Sequence, residues 1–124
     1  VRAKERIMLD ATTKRAICSF LDRIAGRYDI AGAIVYGSRA RGDHREDSDA
    51  DLAVLVRGPK NTPLPDVWEL GTISTEVLLD TGVVIQVTPI RLEDWDHPER
   101  FSNPFLLENI RREGVPLWPP AQPT

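Results

Sequence analysis

A single cysteine, Cys18, stands among the 124 residues, so neither an internal disulfide framework nor a cysteine-built zinc site is available. No apolar run approaches the roughly 20 residues that span a bilayer, which argues against an integral membrane protein and leaves no membrane partner to expect. Val1-Arg2-Ala3-Lys4-Glu5-Arg6 has no apolar h-region and no small-residue cleavage site. Together these absences lead to the expectation of a cytoplasmic protein. An excess of positive charge is missing too: 16 Lys and Arg face 19 Asp and Glu, a net charge of -3. A protein that binds by neutralising phosphates along nucleic acid carries a basic surplus, so nucleic acid is not the expected partner. The two histidines, His44 and His97, lack metal-ligand spacing. Trp68, Trp95 and Trp118 are scattered without interleaved basic residues, which suits packing or an interface better than base stacking.

What is present reads as one globular domain. Hydrophobic residues make up 41% of the chain, too many for a disordered segment of this small net charge. One domain is expected over residues 1–118, with a Pro-rich tail at 119–124. Ile17, Phe20, Leu21 and Ile24 fall at i, i+3, i+4 and i+7, a helical face that Gly26 stops. Ile30 to Tyr36 is a short β-branched apolar run bounded by Asp29 and Gly37, and Asp51 to Val56 is a second. Thr62-Pro63 resembles a helix start, Val67, Leu70, Val77 and Leu78 give it a face, and Gly82 closes it. Val83 to Pro89 is the third strand; Asn103-Pro104 opens a helix ending at Arg111, Arg112 and Gly114, and a strand stub follows from Pro116. The order implies an α/β (α+β) domain with a small mixed β-sheet and helices packed on one face.

The chemistry concentrates between the first two strands. A buried strand running into Gly37-Ser38 implies a tight turn into a short helix whose free N–H groups favour an anion such as phosphate. Glycine at 37 would let backbone approach that anion closely. Asp49 and Asp51 stand two apart at the head of the second strand, where alternation puts both carboxylates on one side. Two aligned hard oxygen donors suit Mg²⁺, which takes one or two carboxylates plus phosphate oxygens and water. An EF-hand fails, because Leu52 stands where its loop needs Gly and Gly58 where it needs Glu. No Gly-Lys-Ser/Thr occurs, so the loop is not a P-loop.

Gly37-Ser38, then Ala40, Arg41 and Gly42, then Ser48-Asp49-Ala50-Asp51-Leu52 resembles the signature of the DNA polymerase β-like nucleotidyltransferases. Within them it is similar to the minimal nucleotidyltransferases related to kanamycin nucleotidyltransferase. The resemblance implies the nucleotidyltransferase fold and transfer of a nucleoside monophosphate, AMP from ATP, to a hydroxyl on a partner protein or small molecule. It implies two Mg²⁺ ions, with Asp49 and Asp51 as catalytic metal ligands. Gly37 and Ser38 would hold the β- and γ-phosphates, joined by Arg39, with Arg41 and Arg45 as nearby cations. It also implies a HEPN-family or other helical partner in a toxin–antitoxin pair, this chain being the antitoxin, with self-association to a homodimer as a further expectation. Active members carry another acid on a later strand, where this chain offers Gln86. Glu76, Asp80, Glu93 and Asp94 are the acids nearest in sequence that would stand in for it. A binding-only antitoxin is the alternative that Gln86 keeps open.

Overall fold

The computed structural model describes residues 9–58 and 63–118; the Pro-rich tail expected at 119–124, and Thr62, lie outside the described residues. Helix α1 (Ala11–Ile24) starts where Asp10 accepts from the Thr13 backbone N–H. Thr13, Ala16, Ile17, Phe20, Leu21 and Ile24 form its buried stripe. Strand β1 (Ile30–Tyr36) leads into a single-turn helix α2 (Ser38–Arg41), and strand β2 (Ala50–Val56) follows. Helix α3 (Val67–Thr81) is capped by Asp66, whose carboxylate accepts from Trp68 N–H, four residues beyond the start expected at Thr62-Pro63. Pro63 to Asp66 is not helical, since the first side-chain acceptor able to serve the free N–H groups is Asp66. Gly82 closes α3 in the left-handed conformation. Strand β3 (Ile85–Arg91) and helices α4 (Leu92–Asp96) and α5 (Pro104–Glu113) precede strand β4 (Val115–Trp118).

The four strands lie in the order β3-β2-β1-β4. β1 pairs antiparallel with β2 and β4, while β2 and β3 run parallel through the α3 crossover, so the sheet is mixed. β2, flanked on both sides, is apolar on both faces. Leu52, Val54 and Val56 meet α1 and α3; Ala53 and Leu55 meet Ile90, Leu107 and Ile110. The expected cover on one face is therefore α1 and α3, and α5 adds cover on the other. The reason is the run Leu106, Leu107, Ile110, too apolar to leave solvated once β4 returns the chain to the sheet.

Arg23 ties α1 to α3 through Glu76 at 3.0 Å and Asp80 at 2.5 Å. Trp118 packs against the α1-side core and donates its indole N–H to the Ile30 carbonyl at 3.2 Å, so this tryptophan serves packing. The large apolar side chains left in solvent are elsewhere, Val67, Trp68, Leu79 and Phe105 among them. No helix among the described residues is long and apolar enough to cross a membrane.

Candidate active site

The site grows from the meeting of β1, β2 and β3 at one end of the sheet. Tyr36 pairs with Asp51 across the antiparallel ladder, and Asp51 pairs with Gln86 across the parallel one. Odd-numbered positions of β2 face the α5 side, so Asp51 projects to the face that carries Ala53 and Leu55. Asp49 follows the same alternation one step before the strand. Gln86 points a side-chain N–H at Asp49 Oδ2, 3.4 Å away, which places all three expected positions together. Thr88, two residues along β3, exchanges a 3.2 Å hydrogen bond with the Tyr36 hydroxyl and floors the site.

Gly37 joins this group from the end of β1. Its φ is 78°, and a Cβ there would collide with Asp51 Oδ2. Glycine is thus required twice, by the left-handed turn and by the Asp51 carboxylate lying against its Cα. Ser38 begins the helical turn, its carbonyl accepting from Gly42 and Asp43 N–H groups. Gly37 and Ser38 therefore stand beside the aspartate pair, as the loop pattern implied.

Arg39 does not. Expected among the nucleotide-binding residues, it is 3% exposed and turned away from the aspartates. Its guanidinium donates to Ser48 O at 2.9 Å, Thr13 Oγ1 at 2.7 Å and Glu46 O at 3.0 Å. Those acceptors fasten the loop after α2 to the start of α1, and they leave the charge facing protein oxygens rather than a ligand. Arg41 is the cation at the site: it pairs with Asp43 at 3.1 Å and with Glu113 at 3.2 Å. Arg45 lies on the exposed loop, and His44 rests against Asp10 at the start of α1.

The four acids considered as substitutes for the missing third carboxylate lie elsewhere. Glu76 and Asp80 are held by Arg23. Glu93 pairs with Arg100, and it and Asp94 follow the far end of β3 from Gln86. The acid that does come near is Glu113, at the end of α5, whose Oε1 accepts from Gly37 N–H at 3.1 Å. Sequence reasoning missed Glu113, Tyr36 and Thr88. Tyr36 and Thr88 share strand parity with the aspartates, a usable signal; Glu113 is 76 residues from its partner and gives none.

Electrostatically the site is under-neutralised. Burial, and then the negative charge of Asp49, push the Asp51 carboxyl above its ordinary value; Arg41 acts the other way and Glu113 adds to the rise. Burial also raises the Tyr36 hydroxyl, with Asp51 contributing. Two like charges aligned on one edge, with neutral amide and hydroxyl oxygens around them, form a donor set that fits a hard divalent cation. Among the described residues no cluster of three or more His, Cys, Asp or Glu surrounds a common point. A cation here would take two carboxylates and complete its shell from ligand oxygens and water, as Mg²⁺ does with phosphates. Beside Gln86 an apolar groove of about 280 Å³ runs between α3 and the edge strand β3, lined by Val67, Leu70, Val84 and Val87 among others.

The family model described as a nucleotidyltransferase domain matches residues 17–112. No curated protein matches the chain. Among solved structures, a toxin–antitoxin complex with AMP-PNP contains a similar chain, 20% identical, with a TM-score of 0.56 over 88% of this chain and 74% of that one. A Sulfolobus solfataricus protein described as a nucleotidyltransferase aligns over 86% of this chain and 79% of its own, with 15% identity and a TM-score of 0.52. A complex of a tri-AMPylated Shewanella oneidensis HEPN toxin with its MNT antitoxin gives 16% identity and a TM-score of 0.50, covering 86% of this chain and 69% of that one. At such identities these likenesses speak for the fold.

Proposed function

This chain belongs to the nucleotidyltransferase domain family, and from that premise we propose that it transfers AMP from ATP to a hydroxyl presented by a partner protein, as the antitoxin of a toxin–antitoxin pair. One observation carries the reading. The glycine turn that would receive phosphate and the aspartate pair that would receive metal are in van der Waals contact, through Gly37 and Asp51. A phosphate chain held at one is already within reach of the other.

The residues divide the work. Gly37 and Ser38 hold the β- and γ-phosphates, and Arg41 offsets their charge. Asp49 and Asp51 would hold Mg²⁺, two ions in an active site, which would supply Lewis-acid polarisation of the α-phosphate. The acceptor oxygen attacks the α-phosphorus in line; that O–P bond forms as the α–β bridging P–O bond breaks. Pyrophosphate leaves and the hydroxyl proton passes to solvent. Gln86 has no basic oxygen to take that proton, so the acceptor must surrender it without a third carboxylate. The partner is proposed as a helical HEPN-type protein, in keeping with one similar structure solved with a HEPN toxin and another solved in a toxin–antitoxin complex. Its exposed hydroxyl would enter from the side of the groove that Gln86 borders.

Gln86 also favours a second reading, a binding-only antitoxin that holds nucleotide and covers its partner with little turnover. Calorimetry with ATP and Mg²⁺ tests what both readings share. The Asp49→Asn/Asp51→Asn double variant is expected to lose metal-dependent binding, by at least ~10-fold for two lost charged ligands. Unchanged affinity would remove the site. Radiolabelled AMP transfer to a co-purified partner separates the readings: robust wild-type transfer supports the enzyme.

A further inference from the structure

Glu113 reaches the site from 76 residues away to hold the donors that a nucleotide needs. Its Oε1 accepts from Gly37 N–H at 3.1 Å, and its Oε2 pairs with Arg41 Nη1 at 3.2 Å. The side chain is 20% exposed, more enclosed than a solvated surface carboxylate. Resting on the nucleotide-binding reading above, we propose that Glu113 is a specificity-determining residue: its carboxylate competes for the phosphate-binding donors, so it lowers the affinity for nucleoside triphosphates, whose terminal phosphates must displace it, and leaves nucleoside monophosphates without that penalty.

Charge alone would not put it there. Glu113 adds a third negative group to a site that already holds Asp49 and Asp51, and an acid is repelled from such a place unless specific donors retain it. Gly37 N–H and the Arg41 guanidinium are those donors, and bonds to a carboxylate are charge-assisted. A carboxylate presents two anionic oxygens to them much as the edge of a phosphate does.

The backbone delivers it. Glu113 ends α5, and the next residue, Gly114, lies so close to Ile34 and the Ile110 carbonyl that a Cβ there would collide with both. Glu113 is thereby set down against β1, beside Gly37, rather than left on a mobile end. It also has somewhere to go. A cavity of about 460 Å³, bounded by Ala40, Arg41, Arg112, Glu113 and the start of β4, adjoins it. Arg112 lines the same cavity, so a cation borders the space open to a displaced carboxylate.

Displacement weakens the apparent affinity by the fraction of time the donors are free. A carboxylate holding them about 90% of the time weakens binding ~10-fold for any ligand that must use Gly37 N–H. AMP, with its one phosphate away from Gly37, escapes that penalty. Calorimetry on the full chain with MgATP and with AMP tests this, comparing wild type, Glu113→Gln and Asp43→Asn. Glu113→Gln keeps an acceptor oxygen for Gly37 and loses the charge; its MgATP affinity should rise roughly 3–10-fold, with AMP altered less than ~2-fold. Asp43→Asn removes an equal charge from Arg41 without touching Gly37, and should raise MgATP affinity less than Glu113→Gln does.

Should Glu113→Gln not fold, carbon-13 NMR of the Glu113 carboxyl in the wild type gives the answer. The resonance should move on saturation with MgATP and stay in place with AMP. Unchanged or weaker MgATP binding by folded Glu113→Gln overturns the proposal, as does an equal gain for AMP or a carboxyl resonance indifferent to MgATP. Those results leave wild-type MgATP binding intact. Absence of MgATP binding in every variant instead sinks the nucleotide reading, and this inference with it.

Discussion

Asp51 sets the terms at the level of single residues, because its folded environment favours the protonated form. Burial raises its pKa first, the Asp49 charge second. With the folded value above the unfolded one of 3.8, the native state binds more protons than the unfolded state in the interval between them. Stability therefore falls as pH rises through that interval, and the deficit persists at neutral pH. Asp51→Asn removes the repulsion and should stabilise the protein at neutral pH by about 1 kcal/mol or less, a few degrees in Tm. The gain should vanish in acid below the unfolded value, where the wild-type carboxyl is protonated in both states. Thermal unfolding at the two pH extremes measures this, and a variant less stable than wild type at neutral pH would contradict it. Mg²⁺ with ATP should raise the wild-type Tm and leave that of Asp51→Asn unmoved, because only a ligand bound to the native state stabilises it. Gly37 belongs to the same argument: its missing side chain is what lets Asp51 lie where phosphate and metal would meet.

Elements are joined around that pair chiefly by Arg39. It connects α2, the loop that ends at Asp49, and the first turn of α1. Arg39→Ala leaves the Ser48 and Glu46 carbonyls without their donor and should cost roughly 2–4 kcal/mol, the range for buried charge-assisted bonds lost together. Arg39→Lys cannot span three acceptors in different directions and should recover only part. Urea titrations of both variants give the result; a loss of nucleotide binding at unchanged stability would return Arg39 to the ligand. Nothing in the sequence separated Arg39 from Arg41. Both lie on a four-residue helix too short to show a period, and the side facing α1 is decided by tertiary contact with Thr13. Strand β1 was legible to the residue, since Asp29 and Gly37 bracket one apolar run and no helical period competes. The α1 stripe was legible for a similar reason, four apolar side chains at helical spacing. Helix α4 has five residues and no fully buried face, so no pattern announced it. Glu113 was invisible because its role depends on α5 folding back to the end of β1, a relation between distant segments rather than a motif.

At the scale of the whole molecule the question is whether the sheet assembles an enzyme or a nucleotide-dependent binder, and β3 decides it. The parallel register sets Gln86 beside Asp51, and its amide N–H turns toward Asp49. Placing a carboxylate there by Gln86→Asp creates three acids on one sheet edge. Without a cation their repulsion should lower stability by about 1 kcal/mol. With Mg²⁺ the same three should bind metal more tightly than the wild-type pair, so the stabilisation by Mg²⁺ should be larger in the variant. If Gln86 holds the place of the proton acceptor, AMP transfer should rise by ~10²-fold or more, the usual contribution of a positioned general base. The measurements are Tm with chelator and with Mg²⁺, and labelled AMP transfer to the co-purified partner. A Mg²⁺ response that grows with no gain in transfer would mean that the position holds metal and chemistry is limited elsewhere, which favours the binding-only antitoxin. A Tm indifferent to Mg²⁺ in both proteins would count against any metal at this edge. Gln86 borders the groove along α3 and β3, so under the proposed function the shorter Asp side chain would open an approach for the partner's hydroxyl while adding the missing charge.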